Sequence, residues 1–163
     1  ARLAELLDLA PRELPQGEDP AMVMTALRHS VTAADPGERG GWVAALPLDP
    51  GLPLPAGGCW AEALGAWRQS TVALLTEPQL RSGLPAAVTA LLRQWNVPLL
   101  GLIQWGGAWD EEMRRRDGLP WLGVLQASGL DPQHDDPEGR LCSALRLRWR
   151  CLLGELEGAG ESS

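Results

Sequence analysis

The chain has 163 residues, with 14 basic and 21 acidic side chains and a formal net charge of −7. That length suits one domain with a real core, and 45% hydrophobic content excludes disorder of the whole chain. An acidic surface without an extended basic stripe repels phosphate backbones, which excludes nucleic acid as the expected partner.

The aromatic inventory is unusual: eight Trp and no Phe or Tyr. There is also no Lys, so every basic side chain is Arg. Trp is therefore expected to supply all the aromatic core volume. The three cysteines, Cys59, Cys142 and Cys151, are odd in number and widely spaced. That pattern argues against a disulfide framework and against Cys-x-x-Cys metal chemistry, and it fits buried thiols in a reducing cytosol. No apolar run reaches membrane-spanning length, and Ala1–Glu5 does not read as a signal peptide. The expected setting is the cytoplasm, with no membrane contact.

In chain order, residues 2–9 read as a short amphipathic helix with Leu3, Leu6 and Leu7 on one face, ended by Pro11. Asp19 followed by Pro20 reads as a helix cap and first turn. The helix they open is expected to reach about Arg28 and to bury Met22, Val23 and Leu27. Trp42–Leu46 reads as a buried strand. Residues 47–58 hold four prolines and three glycines, which predicts an irregular surface loop, mobile or engaged in binding. Residues 59–67 read as a short helix.

The clearest unit lies at residues 70–104. An apolar run at 71–76 is followed by a Pro- and Gly-bearing loop. A helix is predicted over 84–95, with Leu84, Val88, Leu91, Leu92 and Trp95 as its apolar stripe. Asn96 suits a left-handed stop, and a second apolar run spans 99–104. This is the length and order of a parallel strand–helix–strand crossover. A charged helix is expected at 108–117, with Asp110 and Glu111 four residues before Arg114 and Arg115. A strand at 121–125, a polar loop at 129–139 and a last helix at about 140–156 follow. The tail at 158–163 is expected to be disordered. Four short continuous apolar runs alternating with helices predict one α/β domain over residues 1–157. Its short, mostly parallel sheet would carry helices on both faces.

The middle and end of the chain, roughly residues 38–130, resemble the C-terminal portion of the dethiobiotin synthetase family and, more loosely, of ParA- and ArsA-type P-loop NTPases. The resemblance rests on order and spacing. Glu38-Arg39-Gly40-Gly41 precedes a strand, and Thr71–Pro78 matches a strand of the form V-x-L-V-x-x-P. Val97–Gln104 then matches P-x-x-G-x-V-x-N, and Pro120–Gln126 matches P-x-L-G-x-x-P. It implies a three-layer P-loop-like fold. It also implies that Gln104, Gln126 and Pro78 are remnants of a nucleotide-base pocket, and that Glu38 stands at the position of an acidic metal ligand.

The departures are chemical. No G-x-x-x-x-G-K-[ST] loop is present, and without Lys none can be. That loop cradles phosphates with backbone N–H groups, and its Lys neutralises them. No catalytic residue is assigned. The resemblance therefore points to a non-catalytic relative that acts as a binding or scaffold protein, with a protein partner or a second copy and no cofactor. Two alternatives stand beside it. One is an ATP- and Mg2+-dependent carboxylating ligase of biotin biosynthesis, completed by a P-loop from elsewhere. The other is a small-molecule binding module at Gln104, with residues 47–58 as its lid.

Other clusters read more simply. His134 with Asp131, Asp135 and Asp136 fits a solvated loop better than a metal site. His29 and Ser30 lack the spacing and the nucleophile elbow of a catalytic triad. Arg114–Arg116 follow three acidic residues and read as a self-neutralising surface. Arg140, Arg146, Arg148 and Arg150 are not balanced in sequence until Glu155 and Glu157, which marks the last helix as a candidate interaction face.

Overall fold

The computed structural model describes residues 2–15, 17–32, 41–46, 48–55, 57–126 and 136–160, with 30–32 and 153–160 described as backbone alone. The chain divides into two compact units. The first is Ala1–Gln69 with Trp95–Val97, and the second is Ser70–Gln94 with Pro98–Ser163. Each contains a small parallel sheet: two strands in the first unit and three in the second. The α/β class is as expected. The strand at residues 42–44 lies in a sheet separate from the other three predicted strands, not in one four-stranded sheet.

In the first unit, helix α1 (Arg2–Leu7) stops earlier than expected. Asp8 adopts a left-handed conformation (φ 57°), and the Leu9 N–H donates back to the Ala4 carbonyl at 2.9 Å. This is a C-terminal cap, and it ends the helix well before Pro11. Pro11 instead lies inside strand β1 (Ala10–Arg12), which pairs in parallel with β2 (Trp42–Ala44). Helix α2 (Pro20–Thr32) starts as predicted, the Asp19 carboxylate accepting from the Ala21 N–H at 2.9 Å. Its buried face differs from the expected one. Met22 is 65% exposed, while Val23 and Met24 join Leu54 and Trp60 in the core.

The Pro-rich segment is anchored. Within it the Leu52 N–H donates to the Asp49 carbonyl, and Leu54 and Gly58 are joined by a main-chain bond. The Ala61 N–H at the start of α3 (Trp60–Ala66) donates to the Pro50 carbonyl. Leu54 is the hydrophobic anchor, so the segment is held by packing as well as by turns. At the other side of α3, a Cβ on Gly65 would run into the Trp95 carbonyl oxygen, so only glycine lets helix and segment 95–97 approach this closely.

The second unit is the predicted crossover, extended by one strand. Strands β3 (Thr71–Thr76), β4 (Leu99–Trp105) and β5 (Trp121–Leu125) pair in parallel in that order. A four-residue helix, α4 (Glu77–Leu80), follows β3 directly. α5 (Leu84–Gln94) then leads to β4, and Asn96 (φ 55°) makes the left-handed turn expected of it. The buried side of α5 is Pro85, Thr89 and Leu92. Trp95 is one of the exposed large side chains and lies outside that core. Of the eight Trp, only Trp60 is fully buried.

Residues paired across parallel strands share a face. Leu74 pairs with Ile103 and Ile103 with Gly123. Gly123 looks onto Leu141 of the last helix, α7 (Pro137–Gly160), which packs on β5 and β4. Leu74, on the β3 part of that face, is left 45% exposed. The opposite face carries Leu75, Gln104 and Val124, all buried.

Candidate functional site

In an open parallel sheet, ligands bind outside the carboxyl ends of the strands. Here those ends are Thr76, Trp105 and Leu125. After β4, Gly106 and Gly107 are both left-handed (φ 68° and 73°), a pair of conformations that glycine adopts without strain. They fold the chain back over the strand end toward α6 (Glu111–Arg116).

The structure brings Gln104 and Gln126 to this one loop. Gln104 is 1% exposed. Its Nε2 donates to the carbonyls of Gly106 at 2.8 Å and Ala108 at 3.0 Å. Its Oε1 accepts from Arg114 Nη2 at 3.2 Å. The Gln126 Nε2 donates to the Gly107 carbonyl at 3.4 Å. Three successive carbonyls of the loop are thus held by two side-chain amides.

Pro78 lies at the same end of the sheet, in the first turn of α4, and is exposed. Thr76 caps that turn, its N–H donating to the Gln79 Oε1 at 2.8 Å. The neighbouring Glu77 pairs with Arg81 at 2.7 Å, and its other oxygen lies 3.3 Å from where a Cβ on Gly107 would stand. Glu38, and with it His134, Asp131 and Asp135, lie outside the described residues. Asp136 caps the start of α7 by accepting from the Gly139 N–H at 2.8 Å. Among the described residues, no group of three or more His, Cys, Asp or Glu side chains could hold a metal ion. No described helix is long and apolar enough to cross a membrane.

Arg114 was expected on an exposed surface. Its side chain is only 11% exposed. Its guanidinium lies over the Trp121 ring, 4.6 Å from the centroid. Trp109 meets the same ring edge-on at 6.3 Å. Asp117 ties the group together, accepting from Trp121 Nε1 at 2.8 Å and from the Leu119 N–H at 2.9 Å, with Arg114 Nη1 at 3.9 Å. The Arg114 Nε is buried without a hydrogen-bond partner. The reason is local. Asp110 serves as the cap of α6, accepting from the Met113 N–H at 2.9 Å, so it is not spent on Arg114. Glu111 and Glu112 pair with Arg115 and Arg116, which leaves Arg114 on the inner side of the helix. The position of Asp110 just before a run of good helix formers is a cap signal readable from sequence.

Comparison of the chain with family models, with curated proteins and with solved structures finds no match.

Proposed function

We propose that the chain is a non-catalytic relative of the dethiobiotin synthetase-like P-loop enzymes, one that keeps the parallel crossover scaffold and uses its surface to hold a protein partner. The observation that carries this reading is the state of Gln104. At the position implied to read a nucleotide base, both ends of the amide are engaged by the chain's own loop and by Arg114. To offer that amide to a base, the loop would have to surrender three part-buried bonds, each worth about 0.5–1.5 kcal/mol net and more where the group is left unsatisfied. The absence of Lys from the sequence supports the same reading, because the phosphate-neutralising side chain has no source within it. In this reading neither ATP nor Mg2+ is required.

The test is titration calorimetry of the chain with Mg-ATP, alongside a thermal-shift series with nucleotides and biotin precursors. The expected result is no heat of binding and no shift in melting temperature. Micromolar Mg-ATP binding would overturn the reading in favour of the ligase. A shift from a precursor alone would overturn it in favour of the small-molecule module.

A further inference from the structure

Asp117 is the one Asp or Asn in the sequence that glycine follows. That pair is chemically labile. The main-chain nitrogen of the glycine can attack the aspartate side-chain carboxyl, because glycine has no Cβ to crowd the approach. Elsewhere in the sequence the same reaction is closed or crowded. Asp19, Asp35, Asp49, Asp131 and Asp136 precede proline, whose nitrogen carries no proton to give up. The remaining aspartates and Asn96 precede residues that carry side chains.

The fold leaves the attacking nitrogen free and holds the carboxyl it would attack. Asp117 closes α6, and Gly118 follows it exposed and left-handed (φ 66°), with open space where a Cβ would stand. Among the described residues the Gly118 N–H has no hydrogen-bond partner, so its attack breaks no bond. The Asp117 carboxylate is held at both oxygens. Oδ1 accepts from the Leu119 N–H at 2.9 Å, and Oδ2 accepts from Trp121 Nε1 at 2.8 Å. The Asp117 main chain is helical (ψ −13°), its N–H donating to the Met113 carbonyl at 3.2 Å. Ring closure requires the Gly118 nitrogen to swing toward the Asp117 Cβ, out of the helical range of ψ. It also requires the carboxylate to leave its donors.

We propose that Asp117–Gly118 is a site of spontaneous aspartate isomerisation, held in check by the hydrogen bond from Trp121. In the first step the Gly118 nitrogen bonds to Asp117 Cγ. One carboxyl oxygen leaves as water, taking the amide proton and one proton from solvent. In the second step water adds to either carbonyl of the succinimide, and the C–N bond at that carbonyl breaks. Addition at Cγ restores aspartate. Addition at the main-chain carbonyl leaves isoaspartate, whose backbone runs through Cγ and is one methylene longer. The product has the parent's mass, and nothing is oxidised or reduced. Trp121 is a positioning residue: the reaction proceeds from the locally opened turn, and one bond to a charged group makes that opening about tenfold rarer or more. In the product the carboxylate is displaced from the Trp121 and Leu119 donors and from Arg114 Nη1, now 3.9 Å away. A change in an exposed turn thereby reaches the guanidinium that holds Gln104.

The whole chain is aged at neutral pH, native and in urea. Isoaspartate is read by peptide mapping with electron-transfer fragmentation, and by labelling with a protein isoaspartyl methyltransferase. It is expected at Asp117 ahead of every other position, and at least about tenfold more slowly in the native chain than in urea. Trp121→Phe keeps an aromatic ring for Arg114 and Trp109 but removes the N–H. Aged at a temperature where its circular dichroism matches the parent's, it is expected to isomerise about tenfold faster than the native parent, with the rate in urea unchanged. Gly118→Ala is expected to lose the signal in urea, where folding plays no part. The proposal is overturned by a parent chain without isoaspartate at Asp117 in urea, or by a native rate equal to the rate in urea. It is equally overturned by a folded Trp121→Phe chain that ages no faster than the parent. The parent's own ratio between the two conditions needs no variant, so it tests the check even where Trp121→Phe does not fold.

Discussion

Gln104 and Arg114 are ten residues apart in sequence and in hydrogen-bond contact in the fold, and each explains the other's burial. Removing the amide leaves the Gly106 and Ala108 carbonyls without their side-chain donor and Arg114 Nη2 without its acceptor. Gln104→Ala is expected to destabilise the chain by about 2–3 kcal/mol in urea unfolding. Arg114→Met should cost less than the sum of its broken contacts, because the Nε it removes has no partner to lose. The double variant should be non-additive by about 1 kcal/mol, as groups in one network are. The end of β4 is legible from its apolar run, which places Gln104 near the carboxyl end of that central strand. Its partner was not legible, because helix spacing alone offered Arg114 an acidic neighbour, Asp110. That neighbour is used instead as a cap. The Trp residues teach a related lesson. Composition required them in the core, but their size lets most sit half-buried, and Trp95 lies past the end of the buried side of α5.

Elements were legible where their signals were redundant. β3, β5, the Asp19 cap and the Asn96 stop all stand where pattern and local chemistry agree. β1 was not legible: it is three residues long, exposed throughout and contains a proline, each of which argues against a strand. Sequence pattern does not fix the buried stripe of α2, because Met22 and Met24 are equally apolar. Only the core beneath them distinguishes the two. Asp19→Ala is expected to cost about 1 kcal/mol in thermal or chemical unfolding, the usual effect of losing a cap. A harsher outcome is expected at Gly101 in β4. There a Cβ would stand 2.5 Å from the Pro120 carbonyl oxygen and 2.7 Å from Leu122 Cγ, with φ at 156°. The pairing of β4 with β5 changes register just beyond this point, between Leu102 and Ile103. Gly101→Ala should therefore destabilise by roughly 2–3 kcal/mol or more, since backbone must move to admit it.

At the scale of the molecule, the α/β class follows from strand runs that are continuous rather than alternating. Their division between two small sheets does not follow, because an apolar run carries no label for the sheet it joins. The division is also not a simple cut. Trp95–Val97 groups with the first unit although the chain on either side of it belongs to the second. Val97 is buried, and the Trp95 carbonyl lies against the face of Gly65. A fragment of residues 1–69 therefore lacks part of its own packing. It is expected to melt without a cooperative transition by circular dichroism, while the whole chain melts cooperatively.

That arrangement has a consequence for how the protein is made. A growing chain emerges N-terminus first, so the first unit cannot be finished when residue 69 appears. It must wait for residues 70–97, which at about 5–20 residues per second is a delay of roughly 1–6 s. Through that interval the side of α3 that Trp95 will close stands open. The nascent protein then has a window in which a chaperone can hold it or a neighbouring chain can capture it. A faster-translating message would shorten that window without changing a single residue.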